Sequence, residues 1–435
     1  MKAILGVILL ALVAGAVPMA FAWRSALEPV DPPPPASFDR ASIMRGAQLA
    51  LIGNCNVCHT AASGPAYAGQ RPVHTAFGTI YATNITPDPE TGIGRWSEAA
   101  FTRAMREGVD RRGRHLYPAF PYDHFTKASD EDLKSLYAFL MTREPVRAET
   151  PANQLPFPLN LRPLIVVWKW LFFEPSRFEP DPAQSAELTR GAYLVRSLGH
   201  CGACHTPRNV LGAEKKTQFL SGGEAEGWHA PALNADSPSP RAWTADSLYR
   251  YLRHGLVEQR GIPAGPMAPV VHNLAAAADD DVRAIASYIA SLMPAVRPER
   301  ERSIDVLIAS IQRPEPGATR VAQSGTDPQS LRQGELLYQG ACAFCHDQGR
   351  QVSSSGEAMY LPLSTALYLP TPRNLIRIVS EGITPPDGAP GRWMPAFEGA
   401  FTDEQLAALA IYLRARYTDA PAWTKVGDAV RKARE

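Results

Sequence analysis

Three pentapeptides hold every cysteine of this chain: Cys55-Asn56-Val57-Cys58-His59, Cys201-Gly202-Ala203-Cys204-His205 and Cys342-Ala343-Phe344-Cys345-His346. Cys-X-X-Cys-His is the attachment signature of c-type haem. Two thiols one helical turn apart add across the two vinyl groups of a porphyrin, and the next histidine then lies beneath the iron as its proximal ligand. Six cysteines could instead pair as three disulfides, but partners two residues apart have poor disulfide geometry. A zinc site needs no histidine trailing each pair. The motifs therefore predict covalent haem at Cys55 and Cys58, at Cys201 and Cys204, and at Cys342 and Cys345. His59, His205 and His346 are then iron ligands, and the chain carries three haem c groups.

A proximal histidine leaves one axial position on each iron. A methionine thioether there favours the ferrous state and makes a low-spin electron carrier. Met267 lies in the proline-rich loop Ile262-Pro263-Ala264-Gly265-Pro266-Met267-Ala268-Pro269, 62 residues beyond His205. Met394 lies in Gly391-Arg392-Trp393-Met394-Pro395, 48 residues beyond His346. A lone methionine is often only core filler; the loop placement and flanking prolines argue for ligands. The first copy departs, because Phe120 stands in Tyr117-Pro118-Ala119-Phe120-Pro121 where methionine is expected. Met105, His124 or another ligand could take its place, or the position could be open; His115 is a weaker candidate by position. The remaining histidines, His74, His200, His229, His254 and His272, have no counterpart between copies and read as surface or propionate-side residues.

The elements that position these groups also recur. Arg45-Gly46, Arg190-Gly191 and Gln333-Gly334 precede the first cysteine of each motif, with nine, ten and eight residues from glycine to cysteine. Each copy closes with an amphipathic helix behind a capping candidate: Ser129, the run Asp279-Asp280-Asp281, or Thr402 with Gln405. Leu133 and Phe139, Val282 and Tyr288, and Leu406 and Tyr412 keep the same six-residue separation. A glycine in the first helix lets the last helix approach closely.

This arrangement resembles the class I cytochrome c fold. The expected architecture is mainly α: three tandem class I cytochrome c domains joined by proline-rich linkers. The domains are 40–145, 185–297 and 328–420. The first linker, 146–184, contains an apolar docking segment around Leu161–Phe173; the second, 298–327, carries a short helix near Ser303–Ile311. Before them, Ile4–Ala22 is almost wholly apolar and ends in Ala20-Phe21-Ala22, so residues 1–22 read as a signal peptide or a membrane anchor. Lys plus Arg is 44 against 43 for Asp plus Glu, a balance that gives no reason to expect a nucleic-acid partner. No nucleotide-binding glycine fingerprint, nucleophile elbow or metalloprotease motif is present, so three haems read as a relay rather than a catalytic site.

The run Phe77-Gly78-Thr79-Ile80-Tyr81-Ala82-Thr83-Asn84-Ile85-Thr86-Pro87-Asp88, with Thr91-Gly92-Ile93-Gly94 and Leu155-Pro156-Phe157-Pro158-Leu159-Asn160-Leu161-Arg162-Pro163, resembles the tri-haem cytochrome c subunit of bacterial membrane-bound dehydrogenases. Tyr81, Asn84, Thr86 and Trp96 of this region are candidates to bond the haem propionates. The resemblance implies an electron-transfer subunit, not itself catalytic, on the periplasmic side of the inner membrane. It would take electrons from a catalytic dehydrogenase subunit and pass them to ubiquinone or a terminal oxidase. The Phe120 loop resembles the branch linked to molybdenum hydroxylases of aldehydes or nicotinate more than the quinoprotein or flavoprotein branches. Two alternatives remain at this stage: a peroxidase-like multihaem enzyme with an open first haem, and a free-standing periplasmic shuttle.

Overall fold

The computed structural model describes residues 23–255, 257, 260–312, 327–346, 351–353, 356–357, 360–384 and 393–434. The expected signal or anchor segment therefore lies outside the described residues, as does much of the second linker. Among the described residues no helix is long and apolar enough to cross a membrane. The chain divides into two compact units, Met1–Gln184 with Tyr193–Ala203, and Ser185–Ala192 with Cys204–Glu435.

In the first unit, α1 (Arg40–Ile52) is capped by Asp39, whose carboxylate accepts from the Ser42 amide at 2.8 Å. The one-turn α2 (Cys55–Cys58) carries the first motif. Then come an antiparallel pair, β1 (Pro72–Thr75) and β2 (Gly78–Tyr81), followed by α3 (Glu98–Glu107), α4 (Tyr122–Phe125), α5 (Asp130–Met141) and α6 (Leu164–Phe172). The Ser129 hydroxyl caps α5 as expected, accepting from the Asp132 amide at 3.1 Å.

The boundary between units runs through α7 (Ala186–Arg196) and the second motif on α8 (Gly202–His205). The second unit continues with β3 (Gly223–Ala225) paired to β4 (Trp228–Ala230), then α9 (Ala245–His254), α10 (Met267–Ala276), α11 (Asp279–Leu292) and α12 (Pro298–Gln312). The short linker helix expected near Ser303–Ile311 is α12, one turn longer at its start. The third motif sits on α13 (Pro328–Ala341) and α14 (Ala343–His346). It is followed by β5 (Gln351–Ser353), β6 (Gly356–Glu357), α15 (Arg373–Glu381), α16 (Asp403–Tyr417) and α17 (Val426–Arg434).

The glycines do what their recurrence implies. A Cβ on Gly46 would lie 1.9 Å from the Ser135 carbonyl oxygen and 2.7 Å from Phe139 Cβ. On Gly191 it would lie 2.0 Å from the Ala284 oxygen and 2.7 Å from Tyr288 Cβ, and on Gly334 2.2 Å from the Ala408 oxygen and 2.5 Å from Tyr412 Cβ. Each contact falls two and six residues into the same pattern, after Leu133, Val282 and Leu406. Only a residue without a side chain lets backbone meet backbone this closely.

One capping expectation holds and one does not. The Thr402–Gln405 capping box forms in both directions, at 3.3 and 2.9 Å. The aspartates that open α11 do not cap it: Ala278 holds the cap position, and Asp279 instead pairs with Arg283 at 2.7 Å and accepts from the Tyr249 hydroxyl. The unequal glycine-to-cysteine spacings also acquire a cause. In the third copy α13 runs on to Ala341, so eight residues suffice. In the others a left-handed residue, Asn54 at φ 51° or His200 at φ 36°, breaks the helix before the cysteine and takes up the extra length.

Candidate functional site

Cys55, Cys342 and Cys345 carry free thiols, so neither the first nor the third motif closes on itself as a disulfide. Burial pushes the Cys55 thiol up to about 12, with the neighbouring Cys58 adding to the shift, and lifts Cys342 to about 11.

The histidines of the first two motifs are oriented by backbone. His59 Nδ1–H donates to the Thr83 carbonyl at 2.6 Å, and His205 Nδ1–H donates to the Pro231 carbonyl at 2.7 Å. A carbonyl can only accept, so each bond fixes the proton on Nδ1 and leaves the Nε2 lone pair for a metal. Desolvation holds both imidazoles below the ordinary histidine pKa, partly offset by these bonds, which keeps them neutral as ligands must be. Both carbonyls follow directly on a strand pair, Thr83 two residues after β2 and Pro231 one after β4. The hairpins therefore set where each imidazole points. Sequence reasoning missed both acceptors; the available signal was their similar distance beyond the histidines, 24 and 26 residues.

The distal candidates divide. Met105 is buried on α3 in the same apolar cluster as Cys55, together with Trp96, Phe120, Leu136 and Leu140. Leu252 occupies the matching place on α9, and Gly108 and Gly255 end the two helices in left-handed conformation. His124 lies on α4, buried, with Nδ1 3.3 Å from the Arg196 carbonyl. His115 contacts Lys169 at 3.1 Å. Met394 packs in the same cluster as Cys342, held by reciprocal backbone bonds with Ile383 at 2.9 and 3.0 Å. Met267 opens α10 just after Gly265, which lies flat against Trp228: a Cβ there would come within 2.3 Å of the indole.

Several expectations need correction. Asn84 and Thr86 are buried and bonded to the chain itself. Asn84 Nδ2 donates to the Val146 carbonyl at 2.7 Å and the Thr91 hydroxyl at 3.0 Å, while its Oδ1 accepts from the Thr86 amide and hydroxyl. They tie the connector to the hairpin, which leaves their donors engaged and not directed at propionates. His200 is not a surface residue: its Nε2 bonds the Gly53 carbonyl at 3.1 Å and its ring meets Phe125 edge-on.

The fit of these residues to a tethered haem is thus set by thiols, oriented imidazoles and apolar walls. The cytochrome c family pattern matches residues 43–144, and that of the cbb3-type cytochrome c oxidase subunit III matches 329–413. The fructose dehydrogenase cytochrome subunit of Gluconobacter japonicus is 35% identical over 92% of this chain and 84% of its own length. The gluconate 2-dehydrogenase cytochrome c subunit of Pantoea cypripedii is 37% identical over 86% of this chain and 85% of its own. The chain belongs to the cytochrome c subunits of membrane dehydrogenases. A nicotinate dehydrogenase subunit from Pseudomonas putida is 46% identical over 97% of this chain, but the chain spans only 34% of that protein. As a dehydrogenase cytochrome c subunit, the protein holds haem c covalently.

Proposed function

We propose that this cytochrome c subunit carries three haem c groups in tandem class I domains, at 40–145, 185–297 and 328–420, and relays single electrons out of a catalytic dehydrogenase subunit. The acceptor is ubiquinone or a terminal oxidase at the periplasmic face of the inner membrane. The observation that carries this reading is the threefold glycine crossing, each copy leading into its own Cys-X-X-Cys-His. Cys55 and Cys58, Cys201 and Cys204, and Cys342 and Cys345 tether the groups; His59, His205 and His346 are the proximal ligands.

Haem supplies a one-electron iron couple when bound; the chain sets its potential and excludes solvent. Met267 and Met394 serve as distal thioethers, which favour the reduced state. For the first copy the shared packing of Met105 and Cys55 supports Met105 as the ligand, with His124 the alternative. The catalytic partner in this reading is a molybdenum hydroxylase acting on an aldehyde or nicotinate. The 46% identity to a nicotinate dehydrogenase subunit supports that choice.

Mass measurement of the exported protein tests the count, with three haem adducts expected; fewer would overturn the relay. Purification of the native complex tests the partner. Molybdopterin in the co-purifying subunit is expected, and a flavin or quinone cofactor without it would refute the assignment.

A further inference from the structure

The hairpin that aims His205 is gripped on both of its edges. Just before β3 the Gly222 amide donates to the His205 carbonyl at 2.8 Å, and Gly223 packs so tightly on the motif that a Cβ would run into the Cys204 carbonyl oxygen. β4 pairs with β3, Glu224 opposite His229, and leads into Pro231, whose carbonyl accepts from His205 Nδ1–H. In an antiparallel ladder alternate residues turn their N–H and C=O away from the partner strand. On β4 that outward residue is His229, and one side chain takes both of its groups. Asn374 Oδ1 accepts from the His229 amide and Asn374 Nδ2 donates to the His229 carbonyl, each at 2.8 Å. A primary amide carries the same C=O and N–H as a peptide unit, so Asn374 completes the sheet edge as a third strand would.

The first copy closes the same edge differently. Thr79 of β2 exchanges two backbone bonds with Gln154, at 3.0 and 2.8 Å, and β2 leads into Thr83, the acceptor for His59. There the clamp is the connector that follows the same copy. In the second copy it is a residue 145 positions downstream, on a helix of the third. That helix, α15, has two faces. On one, Arg373 pairs with Glu224 at 2.9 Å, and Arg377 donates to the Glu226 carbonyl at 2.8 Å with its guanidinium 5.5 Å from the Trp228 ring centroid. On the other, Leu375, Ile376 and Val379 are buried in the cluster against which Cys342 and Met394 pack. The Val379 carbonyl also accepts from the Phe397 amide at 3.0 Å, just beyond Met394. One short helix thus braces the hairpin of the second motif and the methionine loop of the third.

We propose that Asn374 is a positioning residue for the second haem site: by holding β4 it fixes the Pro231 carbonyl, and through that carbonyl the plane and basicity of the His205 imidazole. The third copy thereby sets the potential of the second. This rests on the relay proposed above, with haem on Cys201 and Cys204 and His205 on its iron. The sign follows from the bond. A carbonyl that accepts from Nδ1–H makes Nε2 the stronger donor, which favours ferric iron. Loosening β4 weakens that bond and should raise the potential of this one haem.

The test is a redox titration of the haem-loaded full chain, followed by optical and electron paramagnetic resonance spectra, with Asn374→Leu. Leucine is close in shape and makes neither bond. One haem should shift toward the ferrous form by about threefold, about 28 mV for one electron, and its g values should move as the imidazole plane turns. Cys204→Ala identifies the second haem, because a single remaining thioether displaces the ferrous band of that group. Asn374→Gln, which carries the same amide on a longer stem, should return most of the shift. Arg377→Met removes another contact of α15 with the hairpin; loss of a cation lowers a potential, and the g values should stay where they are. A rise and a g shift in Arg377→Met equal to those in Asn374→Leu would make α15 a brace between copies and nothing more, and overturn the proposal. So would an Asn374→Leu protein whose second haem is unmoved. Mass measurement of the wild-type peptide bearing Cys201 and Cys204 comes first: without haem there, the relay itself fails, an outcome distinct from unmoved signals in the loaded protein.

Discussion

At Gly334 an added methyl would sit 2.2 Å from the Ala408 carbonyl oxygen, whereas at Gly340, six residues on in the same helix α13, it would meet nothing within 4 Å. Alanine is the better helix former by about 1 kcal/mol, so the two sites should respond with opposite sign. Gly334→Ala is expected to destabilise the protein by about 3 kcal/mol through overpacking, and Gly340→Ala to stabilise it by up to about 1 kcal/mol. Chemical denaturation of the two variants reads the contrast directly. Lys169 gives a pH effect whose sign follows from its burial, which lowers its pKa from 10.5 to about 7. Between those values the unfolded chain holds a proton that the folded chain lacks. Stability should therefore rise with pH across that window and be lost again as pH falls toward 7. In Lys169→Met that slope should flatten in unfolding curves taken across the same range; an unchanged slope would show that the ammonium stays charged against its carbonyls.

The elements are locked in pairs by a device that the repeat encodes twice and then drops. Arg45 Nε bonds Asp132 at 2.6 Å across the α1–α5 crossing, and Arg190 meets Asp281 at 2.7 and 2.9 Å across α7 and α11. The arginine precedes the crossing glycine, and the aspartate precedes the apolar residue of the partner helix. The third copy has Gln333 and Gln405 at those places, and Gln405 is engaged in the capping box instead. The two ion pairs are not equal. Asp132 is 1% exposed and also accepts from the Tyr193 hydroxyl at 2.6 Å, while Asp281 keeps some solvent. Arg45 is half-exposed, so it is loss of the arginine that strands a buried carboxylate, and Arg45→Met should cost about 3 kcal/mol. Arg190→Met should cost nearer about 1 kcal/mol. Equal losses in urea titrations would argue against the burial difference as the cause. Both pairs were visible in the sequence as Arg-Gly answered by Asp-Leu or Asp-Val some 90 residues later (87 and 91), but only the crossing geometry shows that they meet.

For the molecule as a relay, each iron has to be closed to small ligands on both sides. If Met105 completes the first site, Met105→Ala should admit carbon monoxide to one reduced haem, and His124→Ala should admit none; the reverse result would reassign the ligand. Covalent haem attachment and the glycine crossings were legible in the sequence because each depends on residue type and short spacing. A thiol two residues from a thiol, or a helix position where a side chain cannot fit, is set by local chemistry. What the tertiary structure alone decided is where the polar groups point. Thr83 and Pro231 became the acceptors for His59 and His205 because hairpins carried their carbonyls there. Asn84 and Thr86 turned to Val146, and Lys169 turned inward because the end of α3 offered carbonyls to a cation. A hydrogen bond is made to whatever lies within about 3 Å, and which carbonyl lies there is fixed by the packing of distant segments, not by the spacing of neighbours.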